Sequence, residues 1–151
     1  MKNYKKKGFT ALEVLIAISI LGILSVIAIN TFSLFRSASA IDQAHAEIVG
    51  MLHDARSRTL ASKDKTTYGV HFEENAAILF AGSSYDPAAA TNEVYSLNGV
   101  KIIFTNLPAG NSIVFLRLTG EIAAEAALAL QSSRDSARAK TIAILASGII
   151  E

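Results

Sequence analysis

Hydrophobic and polar positions divide this chain into three stretches with different periods. From Phe9 to Ile29 the positions are almost all apolar, and Glu13 is the one charge among them. A run with no polar face predicts a helix surrounded by apolar material rather than one lying on a core. At ~1.5 Å per residue it reaches about 31 Å, which matches a bilayer hydrocarbon core of ~30 Å. From Ile41 the pattern changes. Ile41, Ala44, Ile48, Met51, Leu52, Ala55 and Thr59 recur at spacings of three and four, an amphipathic stripe. Asp42, Glu47, Asp54 and Arg58 occupy the other side, and Asp54 and Arg58 stand at the i, i+4 spacing that allows pairing. No proline precedes Pro87. One helix is therefore expected from about Phe9 to about Ser62, weakest in propensity at Ser37 to Ala40.

After Lys63 the pattern shortens to β-type runs separated by turns. Tyr68 to Phe72 and Ala76 to Phe80 are expected to pair as a hairpin across Glu73-Glu74-Asn75. Residues 82–92, rich in Ser, Ala, Asp and Pro, read as an exposed loop. Val94 to Leu97 and Val100 to Phe104 flank Asn98-Gly99, the strongest short hairpin signal in the sequence. A turn around Pro108 and Gly110 spans 107–111, and Ile113 to Leu118 reads as a strand that stops at Thr119-Gly120. Ala123 to Gln131 is ambiguous: its alanines favour helix, while its place between strands favours the strand reading adopted here. A polar loop over 132–138 leads to a last strand, Lys140 to Leu145, before Ser147-Gly148. The fold class is α+β: a long N-terminal helix, with a membrane half and an amphipathic half, packed on a small antiparallel β-sheet domain that covers the helix's apolar stripe.

Charge sharpens the picture at the N-terminus. Lys2, Lys5, Lys6 and Lys7 stand before Gly8, and no comparable cluster follows the apolar run. The excess places the N-terminus in the cytoplasm and the residues after about 36 on the far side of the membrane. A lone carboxylate in a membrane helix costs on the order of 2.5–3.5 kcal/mol at the centre and less near an interface. Glu13 therefore needs an offset.

Lys7-Gly8-Phe9-Thr10-Ala11-Leu12-Glu13 resembles the processing site of type IV pilins and of the pseudopilins of type II secretion. The resemblance implies that a prepilin peptidase cuts between Gly8 and Phe9, that Phe9 is then N-methylated, and that Glu13 is the fifth residue of the mature protein. It also implies a structural subunit of a pilus or pseudopilus filament, held in the inner membrane before assembly. The implied partners are other subunits, the peptidase, an inner-membrane assembly platform and membrane lipid. In such a filament the Phe9 amine of one subunit meets the Glu13 carboxylate of another. Two charges ~4 Å apart attract by about 4 kcal/mol at an effective dielectric of about 20. A contact within one subunit, over one helical turn, is the alternative. The implied organisation is a cleaved leader at 1–8, a membrane and assembly helix at 9–36, its amphipathic continuation at 37–62 and an extracytoplasmic β domain at 63–151.

In outline the rest of the sequence is similar to minor pseudopilins and minor pilins. Closely spaced carboxylates, of the kind that form the calcium loop of the major pseudopilin, are missing from the C-terminal half, and a minor subunit is expected. Two family features are absent. There is no cysteine, so the disulfide-closed C-terminal loop of many pilins cannot form, and the membrane part of the helix has no proline.

Other readings of the first stretch stay open. A secretory signal would use Ala38-Ser39-Ala40 as its small-residue cleavage site, although the apolar run is longer than such signals need. A plain signal anchor accounts for the lysines and the length but not for the Gly-Phe junction or the position of Glu13. A membrane-anchored extracytoplasmic binding module is the corresponding alternative function.

The remaining chemistry is sparse. No G-x-S-x-G elbow, H-E-x-x-H or phosphate-binding glycine loop occurs, so no catalytic residues and no cofactor are expected. His45 and His53 lie eight positions apart on one helix, too far to share a metal, and His71 falls in a strand, so no metal site is expected. Setting the four leader lysines aside leaves ten basic against 13 acidic side chains, a balance that argues against a general nucleic-acid footprint. Arg134, Arg138 and Lys140 form the one candidate basic patch, either a solvated loop or the contact of a DNA-uptake minor pilin.

Overall fold

The structure, a computed structural model, describes residues 9–108 and 110–151, with the backbone alone at 28–34 and 37. The lysine leader, Gly8 and the cleavage expected after it lie outside the described residues. The protein divides into two compact units, Met1–Arg36 and Ser37–Glu151.

One helix, α1 (Ala11–Leu60), occupies the described part of the first unit and continues into the second. Its stripe behaves as the spacing requires: Ile41, Ala44, Ile48, Leu52, Ala55 and Thr59 are buried and Met51 is half-buried. On the other side the Arg58 Nε donates to Asp54 at 2.9 Å. The helix ends where Ser62 turns left-handed at φ 51, and a short 3-10 turn, Lys63–Lys65, follows. Buried Thr59 ties this end to the first strand. Its hydroxyl donates to the Ala55 carbonyl at 2.8 Å and accepts the Tyr68 N–H at 2.9 Å.

Seven strands follow: β1 (Tyr68–Glu73), β2 (Ala76–Ala81), β3 (Glu93–Ser96), β4 (Val100–Asn106), β5 (Ser112–Val114), β6 (Ala126–Ser132) and β7 (Ala139–Ile144). They form two antiparallel sheets rather than one, in the orders β3-β2-β1-β5 and β4-β6-β7. The β1–β2 hairpin is as expected, running in register from Tyr68↔Ala81 to Glu73↔Ala76. The hairpin expected across Asn98-Gly99 does not form. β3 pairs with β2 and β4 with β6, so this dipeptide is the crossover between the sheets. Partners distant in sequence hold it open: Leu97 N–H donates to the Asn75 carbonyl and Ile102 N–H to the Glu74 carbonyl, both at 2.8 Å. Leu97 and Val100, on either side of the dipeptide, are buried.

Two further expectations change in extent. The strand expected over 113–118 is only β5. Beyond it Leu116 to Gly120 close a turn, with Gly120 N–H donating to Leu116 O at 2.9 Å and Leu118 left-handed at φ 74. The alanine-rich segment is strand over β6, where Ala126, Leu128, Leu130 and Ser132 are buried at alternate positions. Alternation overrides alanine's helix propensity because every second side chain reaches the core.

Ile48 and Leu52 of α1 share one core with Phe72, Leu128, Leu130, Ile142 and Ile144 from both sheets and with Phe115 just after β5. On the outer face of the first sheet, Gly69 stands opposite Phe80, whose ring lies over it. A Cβ at Gly69 would sit 2.5 Å from the Ile113 carbonyl oxygen and 2.8 Å from Phe80 Cζ.

Candidate functional site

The described part of the expected site begins at Phe9. Thr10 precedes the helix and supplies its N-cap. Its carbonyl accepts the Val14 N–H at 3.2 Å, and its Oγ1 accepts the Glu13 N–H at 3.2 Å. Thr10 and Glu13 thus stand three apart at a helix start, the spacing of a capping box. Sequence reasoning missed Thr10, although this spacing was its signal. Glu13 lies in the first turn, where the positive end of the helix dipole favours a carboxylate.

Both predicted side chains are presented outward. Phe9 is 83% exposed and Glu13 is exposed. Among the described residues nothing hydrogen-bonds or ion-pairs with the Glu13 carboxylate, and the Phe9 nitrogen is still a peptide nitrogen in the uncut chain. Around it the apolar side chains of Leu12, Leu15, Ile18, Leu21, Ile23 and Leu24 are all more than half exposed. Two polar residues interrupt this surface, and each is satisfied by its own helix. Ser19 Oγ donates to Leu15 O at 2.8 Å and Ser25 Oγ to Leu21 O at 2.7 Å, which hides the hydroxyls from an apolar surrounding. Among the described residues no helix is long and apolar enough to cross a membrane. The apolar run of the sequence continues to Ile29, and its side chains from 28 onward lie outside the described residues.

Elsewhere the candidate chemistry falls away. His71 Nδ1 lies 2.9 Å from Ser112 Oγ, a pair that invites comparison with a nucleophile and its base. Ser112 Oγ, however, donates its single proton to the Gly110 carbonyl at 3.0 Å. The hydroxyl therefore accepts from Nδ1–H, and the imidazole is not placed to take the serine proton. Tyr85 stacks on the His71 ring with centroids 3.9 Å apart, which completes a structural clasp. No cluster of metal-ligating side chains occurs among the described residues. The candidate basic patch is largely committed to partners in its own domain: Lys140 Nζ lies 2.6 Å from Asp42 Oδ1 and Arg138 Nε 3.4 Å from Asp135 Oδ2.

Arg56 has a role that composition did not reveal. Its Nε donates to Gly120 O at 3.1 Å and its guanidinium reaches Ser147 O at 3.4 Å. It holds the turn after β5 and the turn after β7 against the end of α1.

Residues 3–29 match the family described as the prokaryotic N-terminal methylation motif. The fold is similar to the crystal structure of the type IV minor pilin FimU of Pseudomonas aeruginosa. The TM-score is 0.57 at 15% identity, and the likeness covers 73% of this protein and 90% of the FimU structure. Comparison by sequence with the curated proteins finds no match. The protein thus carries an N-terminal methylation motif on an α+β, pilin-like fold.

Proposed function

We propose that this protein is a minor subunit of a type IV pilus-like filament, made with a leader at 1–8 and held in the inner membrane by residues 9–36 until assembly. A prepilin peptidase cuts after Gly8, Phe9 is N-methylated, and the β domain stands on the extracytoplasmic side. The observation that carries this reading is the N-terminal methylation motif at 3–29, which runs into the start of a helix whose first-turn carboxylate, Glu13, has no partner among the described residues. The likeness to FimU favours a pilus over a secretion pseudopilus.

The assembly step follows from the energetics of that carboxylate. An unpaired Glu13 costs on the order of 2.5–3.5 kcal/mol at the centre of apolar surroundings. The Phe9 amine released by cleavage is the nearest compensating charge in kind, and pairing it with Glu13 of another subunit offsets that cost by about 4 kcal/mol at an effective dielectric of about 20. Only one axial stagger brings the two groups together, so the pair also sets register.

N-terminal mass spectrometry tests the processing: a protein beginning at Phe9 with an added methyl group is expected, and Met1 when the peptidase is inactivated. Glu13→Ala tests the assembly. The variant is expected to be inserted and processed normally yet absent from sheared filaments; ordinary incorporation would overturn the role of Glu13.

A further inference from the structure

The Asn98-Gly99 pair signalled a hairpin that the fold does not contain, and the two residues make little else of their surroundings. Asn98 makes no hydrogen bond through backbone or side chain among the described residues, and the Gly99 N–H has no acceptor there. Both are exposed, Gly99 is left-handed at φ 76, and open space surrounds the position its Cβ would take. The pair is pinned only from its two sides. Leu97 N–H donates to Asn75 O at 2.8 Å, and Gly99 O accepts the Ser133 N–H at 3.0 Å.

We infer that Asn98 is a site of spontaneous deamidation, left unprotected because the crossover between the sheets replaces a hairpin turn. Once its proton is lost, the Gly99 backbone nitrogen attacks Asn98 Cγ. A bond forms between that nitrogen and Cγ, the Asn98 Cγ–Nδ2 bond breaks, and ammonia leaves carrying a proton. The resulting succinimide takes up one water at either carbonyl. One opening yields aspartate in the ordinary backbone, and the other yields isoaspartate, whose backbone runs through Cβ. Glycine makes the attack easiest because no Cβ shields its nitrogen, and the missing acceptor leaves that nitrogen free to approach.

The other described asparagines outside α1 lack this combination. Asn92 holds its amide on Asp86 O at 2.8 Å and Asn106 on Glu125 O at 3.3 Å. Asn111 is held through its backbone, donating to Pro108 O at 3.0 Å and accepting the Phe72 N–H at 2.9 Å, and the carbonyl of Asn75 accepts the Leu97 N–H. None of the four precedes a glycine. The product places a new carboxylate, or an inserted methylene, in a two-residue link whose neighbours Leu97 and Val100 are fixed in the core.

The test is to incubate the full-length, detergent-solubilised protein in mildly alkaline buffer, folded and in denaturant, and to map every asparagine by peptide mass spectrometry. Asn98 is expected to convert about tenfold or more faster than any other asparagine. Its folded and denatured rates should agree within about tenfold. Asn98→Gln, which enlarges the ring that must close, is expected to abolish conversion at this position with the fold intact by circular dichroism. Faster conversion at another asparagine overturns the assignment. So does protection of Asn98 by folding beyond about tenfold, since the inference is that the fold leaves this bond open.

Discussion

Two glycines show how one atom's surroundings decide the sign of a substitution. Gly69→Ala would drive a Cβ to 2.5 Å from the Ile113 carbonyl oxygen, a backbone atom fixed by the β1–β5 pairing, so it cannot yield as a flexible side chain would. The expected loss is about 1–3 kcal/mol, the usual range for overpacking. Gly50 lies within α1 with no atom within 4 Å of the position its Cβ would take. There, alanine removes glycine's backbone-entropy penalty, and the gain is about 0.5–1 kcal/mol. Thermal unfolding of both variants should shift the midpoint in opposite directions, and a Gly69→Ala protein as stable as its parent would sink the close-approach argument. Neither sign is legible in the sequence, because both residues are glycines flanked by apolar neighbours. Glu13 is of the same kind: its position is read from the sequence, while its exposure, with no partner among the described residues, is read only from the structure.

Among the elements, what the sequence made legible is what local periodicity encodes. The stripe from Ile41 to Thr59 was readable because a 3.6-residue period leaves only one face for a core, and the β1–β2 hairpin because two apolar runs flank a three-residue polar turn. The crossover at Asn98-Gly99 was misread because turn preferences say nothing about competing partners. β3 finds β2, and β4 finds β6 across the 19 residues from 107 to 125. The contact between α1 and β7 was hidden for the same reason. Lys140 and Asp42 are far apart in sequence, and Lys140 was read instead as part of a basic patch. The hydrogen bond and charge of Lys140 hold the Asp42 carboxyl below its ordinary pKa. A carboxylate with a lowered folded pKa contributes stability that is complete above the unfolded pKa and is lost as pH falls through the folded value. Lys140→Ala should therefore move the Asp42 titration, followed by NMR, upward toward the ordinary carboxylate range. The effect on overall stability should be small, because the pair is exposed and screened. An unmoved Asp42 titration would show that the pair does not persist in solution.

For the molecule as a whole, the division of labour follows from where the core begins. Among the described side chains its first buried member is Ile41, and every later one belongs to the Ser37–Glu151 unit, whereas the apolar side chains from Phe9 to Ile27 are exposed. A filament subunit in which the first part of α1 serves neighbours rather than its own core should tolerate losing that part. Deletion of residues 1–36 is therefore expected to leave a soluble domain with one cooperative unfolding transition and β-rich circular dichroism, unable to enter filaments. Deletion of residues 1–51 is the contrasting case. It removes Ile41, Ala44 and Ile48 from the core. Truncating a single buried Ile or Leu to Ala typically costs about 2–5 kcal/mol, against a total stability of about 5–15 kcal/mol for a domain. The loss of three buried residues and of most of the helix that carries them should leave no cooperative transition. A 1–36 deletion that fails to fold would mean that the first unit contributes to the core after all. A 1–51 deletion that folds cooperatively would mean that the two sheets and the last turns of α1 suffice, leaving the stripe from Ile41 to Ile48 to serve something other than this domain.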